Sequence, residues 1–287
     1  VEENKIESVT ELYETLGKGG VFDISNSLYH SGPGISRSAI MEFKKTPKHY
    51  WYKYINSNYV SKPSTPQQAF GTAVHSYILE PQLFNNEYHI DKANPYDGRT
   101  VQGKKYKADQ LIKAGAKTII ADDDFNAIKA IHNSIYDNNT TRELVLGAQY
   151  EKSIYWRDKE TGLLCKCRPD IWHEHFVVDL KTSSNANPRL FASQMYSGGY
   201  HIQAAMIQEG ILATQNKKVE SFLNLVVETD EPHVTATYPI SPQAIEQGKA
   251  EFKNILKQIK YCLDQDVWPG YPTQEIDIPP YAYNEVL

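Results

Sequence analysis

The chain has 287 residues, of which 40% are hydrophobic and 23% charged, the make-up of an ordinary globular protein with room for one large domain or two small ones. A formal net charge of -5 excludes a broadly basic polyanion binder, so any nucleic-acid partner has to be met by locally concentrated basic residues or by metal ions. No apolar run approaches the roughly 20 residues that cross a bilayer and no signal peptide is visible, which excludes a membrane span and leaves the cytoplasm as the expected location.

The chain begins at Val1 rather than Met, as a processed or excised fragment would. Residues 1–21 are polar and weakly patterned, and Gly17, Gly19 and Gly20 separate them from the rest of the chain; they are expected to form a flexible arm ahead of a single domain over 22–287. Gly32-Pro33-Gly34 marks a turn, Ser36 is a plausible N-cap for a helix from Arg37, and Pro47 restarts or kinks that helix. Tyr50, Trp51, Tyr52 and Tyr54 form an aromatic cluster, read as core or wall with base stacking as the alternative. After a loop, Phe70, Val74, Ile78 and Leu79 define a helix with His75 beside its apolar stripe. Residues 92–107 combine glycines with Arg99, Lys104, Lys105 and Lys107 and are expected to form a mobile basic loop. A short strand, an Asp cap and a helix are expected across "TIIADDDFNAIKAIHNSIYD".

The centre reads as β: two strands around the turn Lys159-Glu160-Thr161-Gly162, then "HFVVDLKT". A helical stretch is expected after Pro188, continuing past Gly198-Gly199, and two more strands precede a long helix with Ser241 as N-cap and Pro242 at its first position. The tail is Pro-rich and irregular. Cys165, Cys167 and Cys262 lack a CxxC pair, which argues against a disulfide framework, a zinc ribbon or an iron–sulfur cluster. The order of elements gives a mixed α/β (α+β) fold, a mixed sheet wrapped by helices.

One stretch raises a question of charge. In "RPDIWHEHFVVDLKT" an apolar strand carries Asp179 and Lys181 at its far end, pointing to one face, while Asp170 closes the strand before it. In a hairpin Asp170 lies beside Asp179, and two adjacent carboxylates do not both ionise cheaply without a cation. A hard divalent metal with oxygen ligands resolves the conflict, and a lysine beside it can orient an attacking water or offset charge on a phosphate. Asp-x-Lys is also common on solvated strand faces, so the pattern alone does not decide.

The set "GTAVH", "YEKSIYW", "CRPDIW", "VVDLKT" and "YHIQ", in that order, resembles the PD-(D/E)xK nuclease superfamily, in particular its RecB-like branch with the exodeoxyribonuclease VIII (RecE-type) C-terminal nuclease. The resemblance runs from "DISNSLYHSGPGIS" to Trp268-Pro269 and implies a restriction-endonuclease-like core. It implies Asp170, Asp179, Lys181, Glu151 and Gln203 as catalytic residues, and His75, Asp170, Asp179 and the Leu180 backbone carbonyl as ligands of Mg²⁺ (or Mn²⁺), two ions per site. For Glu151 a salt bridge to Lys152 or Lys166 is the competing structural reading. The branch's Gln-x-x-x-Tyr pattern is broken, because Ile207 stands four residues after Gln203; Tyr200, one turn earlier, is the stand-in.

The implied activity is a metal-dependent 5′→3′ exodeoxyribonuclease that degrades linear duplex DNA to 3′ single-stranded tails, beside a single-strand annealing protein in phage-type recombination. A ring-shaped homo-oligomer is implied too, so that only its channel needs positive charge. Tyr200, Lys44, Lys45, Lys48, Lys53, Arg99, Lys104, Lys105 and Lys107 are the candidate DNA contacts, with solvated surface lysines as the alternative. A structure-selective endonuclease on the same core and an inactive DNA-end-binding scaffold are the competing functions.

Overall fold

The structure, a computed structural model, describes residues 9–15, 19–92 and 95–279. Helix α1 (Val9–Thr15) precedes strand β1 (Gly20–Phe22) and helix α2 (Asn26–Ser31), which Ser25 caps by accepting the Leu28 N–H. Ser36 opens α3 (Arg37–Lys45), and Pro47 restarts the chain as α4 (Pro47–Tyr50), where Thr46 caps the His49 N–H. A π-helical turn (Trp51–Ile55) comes next. Helix α5 (Pro66–Leu79) begins in a full capping box: Thr65 accepts from the Gln68 N–H while the Gln68 side chain accepts from the Thr65 N–H. Then come α6 (Pro81–Glu87), β2 (Tyr88–Asp91), α7 (Val101–Ala114), β3 (Thr118–Ala121), α8 (Asp122–Asp137) and α9 (Asn139–Val145). The second half comprises β4 (Gln149–Tyr150), β5 (Ser153–Arg157), β6 (Leu164–Cys167), β7 (Ile171–Trp172), β8 (Phe176–Ser183), α10 (Pro188–Gly198), α11 (Tyr200–Gln215), β9 (Ser221–Glu228), β10 (Thr235–Pro239) and α12 (Pro242–Gln265).

The expected mixed α/β architecture is the one adopted. Five strands form the central mixed sheet in the order β10-β9-β8-β7-β4, with β8 and β9 parallel and the other pairs antiparallel. Strand β8 is buried on both faces, which is why it reads as an apolar run. Val177 faces a core built with Ile202, Met206 and Ile207 of α11 and Phe252 and Leu256 of α12. Val178 and Leu180 face the opposite core, built with Val74 and Ile78 of α5 and Ile128 and Ile131 of α8. A second sheet, β1-β5-β6, packs against α11, and β2 and β3 form a small parallel pair crossed by α7. Among the described residues no helix is long and apolar enough to cross a membrane.

Four local expectations change. The basic stretch 92–107 is not a loop throughout: α7 starts at Val101, capped by Thr100, and Gly103 is there because a Cβ would lie 2.1 Å from the Asp97 carbonyl oxygen. The helix after Pro188 stops at Gly199, whose left-handed φ of 67° separates α10 from α11. Ala121, not an aspartate, occupies the N-cap of α8; Asp122, Asp123 and Asp124 fill its first turn, where they oppose the positive end of the helix dipole. Within the expected arm, Val9–Thr15 is helical, and Gly20 and Val21 already pair with Tyr155 and Ile154.

Candidate active site

The site grows out of a mismatch in strand length. Strand β7 is only two residues long and pairs with Val177 and Val178, so β8 runs on from Asp179 with its β7-side edge open while β9 continues to cover the other edge. An open strand edge presents N–H and C=O groups that need partners. Asp170, immediately before β7, fills this one: its Oδ2 accepts the Leu180 N–H at 2.8 Å. The N–H and C=O of one strand residue point to the same side, so the Leu180 carbonyl faces the same gap.

Glu151 reaches the gap from the β4–β5 junction. Its N–H donates to the Asp170 carbonyl at 3.1 Å, and its backbone sits at φ 50°, in the left-handed region a glutamate rarely adopts. Arg168 Nε donates to Glu151 Oε2 at 2.8 Å. From the α5 face His75 places Nδ1 at 3.6 Å from Asp170 Oδ2 and 3.9 Å from Glu151 Oε1. One ligand atom from each of His75, Glu151 and Asp170 lies within 4.8 Å of the others. A Cβ on Gly71, one turn before His75, would stand 3.2 Å from the Thr182 hydroxyl, so the glycine lets α5 approach β8 closely.

The opposite face belongs to α11. Gln203 Nε2 donates to Asp179 Oδ1 at 2.7 Å, and the Lys181 ammonium contacts Asp179 Oδ2 while lying 4.8 Å from the Tyr200 ring centroid. Arg37 donates to the Gly198 carbonyl at 2.7 Å and places its guanidinium 5.9 Å from the same ring. Asp179 is 1% exposed and Asp170 8%, so both carboxylates are buried.

Burial and the Asp179 charge push the Asp170 carboxyl up to about 7. Burial works against the His75 imidazolium, but the Asp170 and Glu151 carboxylates outweigh it and raise its pKa. Burial likewise opposes the Glu151 charge, yet His75 and Arg168 hold this carboxyl below its usual range. Lys181 is buried too, and Asp179 and Asp170 keep it firmly protonated. Three carboxylates, Glu151, Asp170 and Asp179, thus share the gap with the Arg168 and Lys181 cations and the His75 imidazole. Carboxylate oxygens, an imidazole and a free carbonyl suit a hard divalent cation, and the proton held by Asp170 marks the charge such an ion would replace.

Seven of the expected residues converge here: His75, Glu151, Asp170, Asp179, Leu180, Lys181 and Gln203. Tyr200 joins them half-buried, its ring centroid 4.8 Å from the Lys181 ammonium. Glu151, rather than Asp179, completes the trio of closest ligand atoms. Neither lysine weighed as a structural partner of Glu151 takes that role: Lys152 pairs with Asp23 at 3.2 Å, and Lys166 donates to the Tyr29 and Gly32 carbonyls. Arg168 is the partner that sequence reasoning passed over, although it directly precedes the Pro169-Asp170 step.

The candidate DNA contacts divide into two groups. On α3 and its continuation, Lys44 pairs with Glu251, Lys45 and Lys53 pair with Glu42, and Lys48 stacks on Trp51 at 3.9 Å. Arg99, Lys104, Lys105 and Lys107 are exposed on α7 and the turn before it.

A crystal structure of a protein from Eubacterium rectale, described as a putative exonuclease, aligns with 93% of this chain and 100% of its own at a TM-score of 0.57 and 14% identity, which shows a shared fold. A second solved structure, SSO0001, covers 82% of this chain and 97% of its own at 14% identity, but its TM-score of 0.30 carries no argument. No curated protein matches the sequence. A family model matches residues 36–278, a span that includes every residue of the site above, and the chain accordingly belongs to the family described as a PDDEXK-like domain of unknown function, DUF3799.

Proposed function

We propose that this protein is a divalent-metal-dependent DNA nuclease that hydrolyses phosphodiester bonds, and specifically an exodeoxyribonuclease acting on linear duplex DNA. The observation that carries the reading is the convergence of His75, Glu151 and Asp170 at the open edge of β8, with Asp179 and Lys181 on the same strand. His75, Asp170 and the Leu180 carbonyl, with Glu151 and Asp179 alongside, would hold Mg²⁺ or Mn²⁺, two ions in the full reading. Bound there, the cation supplies Lewis-acid polarisation of the phosphate and a lowered pKa for an attacking water.

The chain's own residues do the rest. Lys181 is held as an ammonium by Asp179 and Asp170, so it acts as a donor and a positive charge toward phosphate rather than as a general base. Gln203 and Lys181 each occupy one oxygen of Asp179 and so fix the orientation of its carboxylate. Arg168 does the same for Glu151. The Tyr200 ring limits how far the Lys181 side chain can swing. Hydrolysis with 3′-oxygen as leaving group delivers a 5′-phosphate.

Polarity from 5′ to 3′, a role in annealing-type recombination and a ring-shaped assembly rest on the resemblance to RecE-type nucleases. The test is digestion of 5′-labelled and 3′-labelled linear duplex DNA beside covalently closed circles, with Mg²⁺, with EDTA, and with Asp179→Ala protein. Metal-dependent shortening from 5′ ends that spares circles and needs Asp179 supports the exonuclease. Cut circles mean an endonuclease on this core, and bound but uncut ends mean a scaffold.

A further inference from the structure

The stretch of chain that joins the two walls of the site has a composition unlike the rest of the molecule. No aspartate or glutamate occurs from Phe43 to Leu79, while five lysines do (Lys44, Lys45, Lys48, Lys53 and Lys62), in a chain whose acids outnumber its bases by 35 to 30. Acids outside the stretch answer this charge only in part. Glu251 pairs with Lys44, Glu42 is shared by Lys45 and Lys53, and among the described residues no acid pairs with Lys48 or Lys62. Both ends are tied to the site: α3, which leads in, starts at Arg37 against Tyr200, and α5, which leads out, carries His75. At about 1.5 Å per helical residue, Thr46 and Thr65 lie about 13–15 Å from those two walls.

The aromatic residues between them divide between core and solvent. Tyr50 is buried and stacks on Trp268, whereas Tyr52 is 56% and Tyr54 41% exposed. The exposed pair is carried by the π-helical turn, where the Asn56 N–H reaches back five residues to the Trp51 carbonyl at 2.9 Å. Such turns are rare and concentrate at functional sites. The rings are held in place all the same: Tyr52 meets Tyr59 edge-on at 5.5 Å, and Tyr54 leans on Tyr50 at 5.2 Å. Anchored rings lose little freedom when a flat partner covers them. Flat apolar faces among partly compensated ammonium groups suit an unpaired nucleobase with its phosphates. Bases inside a duplex have no free face to offer, because each is already stacked on its neighbours.

Resting on the nuclease reading above, we infer that residues 46–65 form a stacking platform for single-stranded DNA, with Tyr52 and Tyr54 against bases and Lys48 and Lys53 along the phosphates. The platform lies outside the metal site and holds the strand that digestion of a duplex leaves unpaired.

The experiment uses the full chain in EDTA, so that binding is read without cleavage. The probes are fluorescent oligo(dT), a blunt duplex of equal length, and an oligonucleotide carrying 2-aminopurine as a reporter of stacking. Replacing both tyrosines (Tyr52→Ala with Tyr54→Ala) should weaken oligo(dT) binding roughly 10- to 100-fold and abolish 2-aminopurine quenching, with duplex affinity kept within about twofold. Tyr52→Phe with Tyr54→Phe keeps the rings and should bind as wild type does. Lys48→Ala should lower the slope of log affinity against log salt for oligo(dT) by roughly 0.7. Melting temperatures should match wild type; should the alanine pair melt lower, Tyr52→Ala alone replaces it. Unchanged oligo(dT) affinity without the rings, equal losses on duplex and single strand, or no restoration by phenylalanine overturns the inference. A smaller mass in solution with unchanged oligo(dT) affinity also overturns it and makes this a protein–protein surface. Digestion of linear duplex by the wild type in Mg²⁺ keeps the two readings apart. Ring-dependent binding without cleavage overturns the nuclease reading alone, and cleavage without ring-dependent binding overturns this inference alone.

Discussion

Asp170 should make the metal-free protein less stable than it would be with a neutral side chain. Its carboxyl is raised to about 7 in the folded chain, from an ordinary value near 4 once unfolded. A carboxyl raised in this way favours the folded state at low pH, where it is protonated, and that advantage disappears as pH rises through about 7. About three units of difference correspond to roughly 4 kcal/mol at about pH 8, most of which develops above about pH 5. Asp170→Asn keeps an oxygen for the Leu180 N–H and removes the charge. In EDTA the variant should therefore melt roughly 5–12 °C above wild type at about pH 8, with a much smaller gap at about pH 5. Adding Mn²⁺ should narrow the gap at about pH 8 by more than half, because saturation at about a hundredfold over Kd stabilises only the wild type, by about 2.7 kcal/mol. Thermal unfolding measured by circular dichroism across that pH range is the assay. An Asp170→Asn protein that melts below wild type in EDTA at about pH 8, or a gap independent of pH, would mean that Asp170 is not a strained, buried charge.

Three further outcomes stem from particular contacts. Lys253→Met should cost about 3 kcal/mol in urea unfolding, because it strands the fully buried Asp158 carboxylate and Glu209, and Asp158→Asn in the same protein should recover much of the loss. Gly199→Ala should lower the melting temperature and turnover together, since φ is 67° there and a Cβ would meet Met41 Sδ at 2.4 Å, displacing the start of α11 that carries Tyr200 and Gln203. If α7 meets DNA, replacing Lys104, Lys105 and Lys107 by alanine should reduce the slope of log affinity against log salt by roughly 2–3 while leaving turnover at saturating DNA intact; an unchanged slope excludes phosphate contacts there.

Much of this site was legible because its residues are close in sequence or carried by strong local patterns. The apolar run ending in Asp179-Leu180-Lys181 announces a buried strand with a charged end, and the two-face packing of β8 explains both halves of that pattern. Ser241-Pro242 and the apolar period behind them fixed the start of α12 equally well. Less legible were features set by tertiary contact. Gly103 and Gly199 read as breaks or as tolerated residues; only the packed structure shows that the first serves a close approach to Asp97 and the second a left-handed turn against Met41. Arg168 stands 17 residues from Glu151, and nothing in local spacing announces their pairing. The resemblance to RecB-like nucleases supplied His75 and Gln203, which spacing alone left as a core histidine and an ordinary helical glutamine.

In the proposed mechanism, water activated at the His75–Glu151–Asp170 edge of β8 cleaves a DNA phosphodiester. The decisive measurement is digestion of linear duplex DNA with Mg²⁺ in ¹⁸O-labelled water, with mass spectrometry of the released nucleotides. The mechanism requires 5′-phosphorylated products carrying one solvent oxygen in the phosphate, and no release from the Asp170→Asn or Lys181→Met protein. Products ending in 3′-phosphate, release that survives loss of Asp170, or no release with Mg²⁺ or Mn²⁺ would rule it out.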